Sequence, residues 1–484
     1  MKPLWRFRWL WIGLIAIAAV LACIGLFLRY ETVNEMHPAL DQLASVSLSE
    51  RWSHPAMVRI RQLGPAVVPP LCRVLREKDQ PTTRFLLWLK AKWPPIAKLW
   101  PNLPDPKKMT ERRWTACQVL QTLGPAAKAA VPDLVRVIES KDPGEVNGGV
   151  MALWAVGIDS DACEWLDQSL EQGKAAFGRS AIVDALGRVT PPSTRTLHAL
   201  TKSLADPSPY VQQHAAQTLG RLGVATPEVL SEIKTLQTSS TNDLTTVTCL
   251  MALWQLKQDP SAAAGVLQLL QRLVQSPVPP PLGGGNGGQA IDELEQVFLK
   301  GAELFQQVKL AEPERSKALA VLDSFCEKSD RIFVRMLLLS AMMDLGLPEE
   351  RCLDVCQTGL RQEEYYYRLQ AARLLGVVAE RFPGMVNADE LMGDKDLGVR
   401  VYAARIHWRN HKRPEAVLPV FIEALDRKKY QSYYYDEILN AALGGLGDLG
   451  SEARPARTNL ATIIEDPNPQ VAALAKETMR KMGE

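Results

Sequence analysis

The feature that most constrains this chain is a pair of short apolar helical stripes joined by a tight turn, seen most clearly over residues 197–223. In the first half, apolar residues recur at intervals of three and four residues: Leu197, Leu200 and Leu204. After the turn they recur again: Val211, Ala215, Leu219 and Leu222. Ser208 and Pro209 suit the N-cap and first position of the second helix, and Gly223 suits its end. Because two short helices cannot bury such faces alone, the pattern predicts stacking on further copies.

The copies occur along most of the chain. The turn Asp-Pro-Ser-Pro at 206–209 has a counterpart, Asp-Pro-Asn-Pro, that begins at Asp466 and is followed by the same apolar spacing. Shorter versions of the turn begin at Asp142, Asp330 and Asp396. A Leu-Gly-Pro motif also recurs, at 63–65 and 123–125. Helix pairs repeating at roughly 30–40 residues are the signature of an α-solenoid. The sequence therefore predicts an all-α fold.

The repeat resembles the HEAT-repeat family. The resemblance rests on Pro in the first helix, Asp in the turn and a Val-Arg-x-x-Ala stretch in the second helix, as at Val399, Arg400 and Ala403, and it covers most of the chain from about residue 55. It implies an α-solenoid of HEAT-like helix pairs. It implies little about function, since such repeats serve scaffolds, adaptors, transport receptors and a few lyases.

The amino end predicts a membrane anchor. A basic tip, 1–8, precedes 9–28, a stretch of uncharged and mostly apolar residues long enough to cross a bilayer as a helix. The positive-inside rule places the repeats outside the cytoplasm, so the chain looks like a bacterial-type, membrane-anchored HEAT-repeat protein. The alternatives are a cleaved signal peptide and a lipoprotein with a lipidated Cys23.

The remaining chain is predicted to fall into segments of different character. These are a polar tether (29–50), an N-terminal solenoid (51–275) with an insertion (79–110), a Pro/Gly linker (276–289) and a C-terminal solenoid (290–484). The insertion carries Trp88, Trp93 and Trp100 among basic residues, which suits a membrane interface. The alternative is that it caps the first repeat.

Motifs for catalysis and cofactor binding were not found in the sequence. Outside the first thirty residues there are 52 basic and 54 acidic side chains, a balance that does not favour a nucleic-acid partner. Most of the eight cysteines lie on apolar helical stripes and are predicted to be buried thiols. His407 and His411 lie one helical turn apart, but no third ligand is evident nearby, so no metal site is predicted. No small-molecule substrate is evident.

Two tyrosine triplets begin second helices of different units: Tyr365, Tyr366 and Tyr367, and Tyr433, Tyr434 and Tyr435. Tyrosine offers a large amphipathic contact at low entropic cost, so the triplets are candidate partner-binding residues. Arg368, Lys428 and Lys429 would add a basic rim suited to an acidic partner segment. The alternative is that some of these tyrosines pack in the core.

These observations predict a membrane-anchored scaffold or adaptor that binds a protein partner and performs no catalysis. One alternative is an enzyme or chaperone resembling the lyase-type HEAT-like proteins of phycobilisomes. A third possibility is a structural protein of an envelope assembly.

Overall fold

The computed structural model describes most of the chain from residue 36 onward. The described residues are 36–46, 51, 54–77, 88, 92, 106–140, 142–158, 163–164, 166–168, 170, 176–189, 191–275, 291–329, 331–426, 435–465 and 469–483. Every regular element within these ranges is a helix, and no strand occurs among them. The predicted all-α class is therefore confirmed for this part of the chain.

Short α-helices joined by turns and single 3₁₀ segments make up the described fold. In chain order they are α1 His37–Ala44, α2 Pro55–Leu63, α3 Val68–Arg76, α4 Pro106–Leu123, α5 Val131–Ile138, α6 Pro143–Val156, α7 Ala176–Leu186, α8 Thr194–Lys202, α9 Pro209–Leu222, α10 Pro227–Ser239, α11 Asp243–Lys257, α12 Ser261–Val274, α13 Glu293–Gln307, α14 Glu314–Lys328, α15 Ile332–Leu345, α16 Glu349–Leu360, α17 Tyr365–Arg381, α18 Leu397–His411, α19 Pro414–Ala424, α20 Tyr435–Leu449, α21 Arg457–Ile463 and α22 Pro469–Lys481.

The bounds of α9 follow from the residues at its ends. Pro209 occupies the first helical turn, and Gly223 ends the helix in the left-handed conformation with φ 71°, as predicted. Ser208 is the N-cap residue, but its side chain makes no capping hydrogen bond. Instead, its backbone N–H donates to Oδ1 of Asp206 at 2.8 Å. Asp206 therefore stabilises the turn that leads into α9, and it does not cap the helix itself.

Stacking of second helices buries the predicted stripes. Leu219 on α9 is fully buried, as are Val211 and Ala215 on the same helix. The next residue, Gly220, faces α11 so closely that an added Cβ would lie 2.9 Å from Cα of Ala252. Only glycine allows this approach of the two helices, which is why the apolar face of α9 reaches its neighbour without a gap.

The chain divides into two compact units, one up to Gln258 and one from Asp259 onward. Helix α12 (Ser261–Val274) therefore belongs to the second unit, because it packs on α13 and α14. This places the division earlier in the chain than the predicted boundary at residue 275. The predicted linker, 276–289, lies outside the described residues.

The stretch that was predicted to be a polar tether, 29–50, contains a packed helix. Leu40 and Leu43 of α1 are completely buried, and Asp41 accepts hydrogen bonds of 2.7 and 2.6 Å from Arg112 on α4. The prediction of a tether over the whole stretch is therefore wrong, because α1 carries an apolar face that α4 covers.

None of the helices in the described part of the chain is both long and apolar enough to cross a membrane. The predicted membrane-spanning segment, 9–28, and the candidate lipidation site Cys23 lie outside the described residues. Both therefore stay predictions.

Candidate functional site

A polar groove crosses three neighbouring second helices of the second unit, and it is called here the second-helix groove. It has a volume of about 620 Å³ and lies on α17, α18 and α20. Its lining consists of Gln370, Arg373, Tyr402, Arg405, Glu437, Asn440 and Ala441. Each helix supplies two of the polar residues, three positions apart, so that both lie on the same face of their helix. The groove therefore follows directly from the stacking of the repeats.

The charged side chains that line the groove are two arginines and one glutamate. Arg373 lies 3.9 Å from Glu437, and Arg405 lies 3.5 Å from Asp448, which is outside the lining. The side chains of both arginines remain partly exposed, at 52% and 33%. Each guanidinium group therefore has one carboxylate neighbour, Glu437 or Asp448, and keeps exposed surface with which it can contact an acidic ligand.

Tyr402 is a fixed hydrogen-bond donor in the floor of the groove. Its hydroxyl donates to Oε1 of Glu437 at 3.3 Å, and its ring is buried. Burial, followed by the negative charge of Glu437, raises the pKa of Tyr402 well above its usual value of 10.0. The phenol therefore keeps its proton at physiological pH and holds the Glu437 carboxylate in place.

The first tyrosine triplet adjoins the groove. Tyr366 and Tyr367 have ring centroids 5.9 Å apart, and they lie 5.7 and 5.9 Å from the ring of Phe333 on α15. All three side chains are half-buried. Gln370 follows within one helical turn, so the aromatic cluster continues the lining along α17. The third member, Tyr365, packs against the core of the second unit beside Gly398.

The second triplet is placed differently. Tyr435 is buried, with 3% of its surface exposed, and its hydroxyl donates to the carbonyl oxygen of Ala424 at 2.8 Å. Because both its ring and its hydroxyl are engaged inside the unit, Tyr435 is a core residue and not part of a binding surface. Tyr433 and Tyr434 lie outside the described residues.

One residue of the predicted basic rim, Arg368, is also buried inside the unit. Arg368 is buried, lies 3.2 Å from Asp394 and also pairs with Asp396. Its positive charge is neutralised by these two aspartates of the turn that leads into α18, so Arg368 does not contribute to a rim. Lys428 and Lys429 lie outside the described residues. The positive charge beside the first triplet comes instead from Arg373, which could not be recognised from the sequence because a lone arginine on a helix forms no distinctive pattern.

The tryptophans of the insertion are described only in part. The side chain of Trp88 is exposed, at 56%. Trp93 and Trp100 lie outside the described ranges. The two interpretations of the insertion, contact with a membrane interface and capping of the first repeat, therefore both stay predictions.

A cluster with the composition of a metal site lies at the end of α18. Asp389, His407 and His411 each offer one ligand atom, and these atoms lie within 4.8 Å of one another. The prediction that the histidine pair lacks a third ligand is therefore wrong. Asp389 could not be recognised from the sequence, because it lies in an irregular segment that only the tertiary structure brings to the helix.

Comparison with solved structures identifies the fold. The chain is similar to yeast importin-beta, with a TM-score of 0.50 and 12% identity over 92% of this chain and 60% of that one. It spans less than two thirds of that relative. The chain has a HEAT-like helical-repeat fold. A weaker likeness is to the full-length AP-3 complex, with a TM-score of 0.38 and 13% identity over 76% of this chain and 72% of that one. Another is to the S. pombe condensin Cnd3–Cnd2 subcomplex, with a TM-score of 0.35 and 12% identity over 94% of this chain and 73% of that one.

No protein-family model matches the chain, and no curated protein matches it.

Proposed function

We propose that the chain is a scaffold or adaptor that holds an extended, acidic segment of a protein partner in the second-helix groove. The observation that carries the proposal is the convergence of polar side chains from three stacked helices on one open groove. The likeness to importin-beta supports the fold on which the proposal rests.

The lining suits an extended polypeptide segment. Gln370 and Asn440 present amide groups, which both donate and accept hydrogen bonds and so match the backbone of an extended chain. Arg373 and Arg405 add charge-assisted hydrogen bonds to carboxylates. Tyr366 and Tyr367, at one end of the groove, supply the aromatic contact that most often dominates binding energy. Together they favour a segment with both acidic and apolar side chains.

In this proposal the hydrophobic stretch 9–28 tethers the solenoid to a membrane, and the repeats face away from the cytoplasm. The role of the chain is binding and not catalysis. A tethered solenoid would keep its partner close to the membrane and raise the local concentration of that partner.

Site-specific photo-cross-linking tests the groove in the full chain. A benzophenone amino acid at Gln370 should form a covalent adduct with the partner in intact membranes, and the linked peptide should be acidic. The same amino acid at Tyr210, an exposed position on α9 in the first unit, is the matched control and should not form that adduct.

A double variant then tests whether the adduct at Gln370 depends on the side chains of the groove or only on the partner being nearby. Tyr366→Ala with Arg373→Ala should reduce the Gln370 adduct at least about tenfold, because it removes an aromatic and a charged contact together. Tyr210→Ala with Arg59→Ala changes the same residue types in the first unit and should leave the adduct intact, and circular dichroism checks the fold of both variants. An adduct at Gln370 that the groove variant does not reduce would contradict the proposal.

A further inference from the structure

The cluster of Asp389, His407 and His411 joins an irregular segment, 382–396, to the last two turns of α18. The two imidazole rings lie on one helix face with their centroids 4.6 Å apart. Oδ1 of Asp389 lies 2.7 Å from Nδ1 of His407 and 3.7 Å from Nε2 of His411. Three side chains of types that bind transition metals thus converge from two different elements of the fold.

The segment that carries Asp389 stands where a first helix would be expected. Between α17 and α18 the only helical element is a 3₁₀ turn, Glu390–Gly393. A few contacts hold this segment in place. Val386 and Ala388 are buried, and the Asn410 side-chain amide on α18 donates to the carbonyl oxygen of Val386 at 2.8 Å. The loss of a helix leaves this segment with little apolar surface to bury, so polar links to α18 matter more here than elsewhere.

The ligand atoms are already positioned by their neighbours. The backbone N–H of Asp389 donates to Oδ1 of Asn387 at 2.9 Å, which fixes the turn that presents the carboxylate. The side chain of His407 is 13% exposed, and its Nε2 is buried with no hydrogen-bond partner in the described structure. The contact with Asp389 therefore orients the ring of His407, and these two side chains are preorganised to share a bound cation.

Nearby positive charges are engaged with other groups. Arg409 lies 2.6 Å from Oε1 of Glu380, and the ammonium group of Lys412 lies 4.9 Å from the ring centre of Trp408. Glu390, directly after Asp389, adds an exposed carboxylate next to the cluster. The electrostatic surroundings are therefore compatible with a bound cation.

We propose that Asp389, His407 and His411 form a binding site for a divalent transition metal, of which Zn²⁺ is the best match. Two imidazole nitrogens and one carboxylate are a ligand set typical of Zn²⁺, whereas Mg²⁺ and Ca²⁺ prefer oxygen ligands alone. Both histidines bind as neutral rings. Because Asp389 and His411 are partly exposed, the fourth position of a tetrahedral site is open to water or to a side chain of a partner.

A bound ion would fasten the 382–396 segment to α18. A ligand that binds only the folded state stabilises it, and here the stabilised contacts are those of the repeat that lacks its first helix. The proposal is independent of the second-helix groove and stands whether or not that groove binds a partner.

The test measures Zn²⁺ binding to the full chain, purified in detergent and stripped with a chelator. Equilibrium dialysis should give one tightly bound ion per chain, and Co²⁺ in place of Zn²⁺ should give the visible absorption of a tetrahedral site. His411→Ala and Asp389→Asn should each weaken binding at least about tenfold. His198→Ala, which removes an exposed histidine 3.8 Å from Glu228 on other helices, is the matched control and should bind as the original chain does.

Limited trypsin digestion supplies a readout that does not depend on counting ions. Zn²⁺ should slow cleavage after Arg381 and Lys395, which flank or lie in the segment, and should not do so in His411→Ala. His411 is 43% exposed, so its removal should leave the fold intact, and circular dichroism verifies this. Failure of the original chain to bind one ion, or equal binding by His411→Ala and Asp389→Asn, would overturn the proposal.

Discussion

Arg179 on α7 donates two hydrogen bonds to Asp206, the turn aspartate before α9. Its Nε and one terminal nitrogen donate to the two carboxylate oxygens at 2.7 and 2.9 Å, and the side chains are only 13% and 10% exposed. The same aspartate accepts the N–H of Ser208. The pair therefore couples the turn inside one repeat to the second helix of the preceding repeat, and Arg368 repeats the arrangement with Asp394 and Asp396 in the second unit.

Arg179→Ala should destabilise the first unit by about 3–5 kcal/mol, because it leaves the Asp206 carboxylate buried without its partner. Urea unfolding followed by circular dichroism measures the change. Arg480→Ala removes an arginine that is 72% exposed and paired with Glu477, and it should leave the unfolding midpoint unchanged. An equally small effect at Arg179 would show that water replaces the guanidinium at no cost.

Leu219→Ala should lower the free energy of unfolding by about 2–5 kcal/mol, since the side chain is fully buried between stacked repeats and its removal leaves a cavity. Leu337 on α15 is 41% exposed and provides the control. Leu337→Ala should change stability by no more than about 0.5 kcal/mol. Thermal unfolding of both variants distinguishes them, and a neutral Leu219→Ala would place this residue outside the packed layer.

The link between α1 and α4 should depend on pH. The hydrogen bond from Arg112 lowers the pKa of Asp41 below its usual value of 3.8. A carboxyl group whose pKa is lower in the folded state stabilises the fold above the unfolded pKa, and this contribution is lost as the pH falls through the folded pKa.

Asp41→Asn should therefore destabilise the chain at neutral pH, and the difference from the original chain should shrink as the pH falls below 3.8. Urea unfolding at a series of pH values measures this difference. A difference that stays constant with pH would mean that the amide and the carboxylate bind Arg112 equally well.

The thiols should be unreactive in the folded chain. All seven cysteines in the described ranges are buried, as the sequence predicted. Burial raises the pKa of the Cys117, Cys249, Cys326 and Cys356 thiols to about 12. The reactive thiolate is therefore almost absent near neutral pH.

In a chain carrying Cys23→Ser, a disulfide reagent should label the thiols only after unfolding. Val58→Cys, at a position that is 41% exposed, adds a fast-reacting control thiol. Rapid labelling of the folded chain without this control thiol would show that a helix opens locally to expose a cysteine.

The elements and their repetition could be predicted from the amino-acid sequence alone, because they depend on neighbours along the chain. The spacing of Leu200, Leu204 and Leu219 defines helix faces, and Pro209 and Gly223 define helix ends, through backbone preferences that act over a few residues. The HEAT-like repeat and the burial of the cysteines followed from the same local patterns. Each could be predicted without knowing how far apart any two helices lie.

The side chains that meet across elements could be identified only in the three-dimensional fold. Tyr366 and Tyr435 look alike in sequence, yet one is half-buried beside a groove and the other is enclosed with its hydroxyl bonded to Ala424. Asp389 meets His407 because a first helix has been reduced to one 3₁₀ turn. The physical reason is that helical periodicity sets the direction of a side chain, whereas its neighbours depend on the packing distances between helices, which are long-range and not encoded by local spacing.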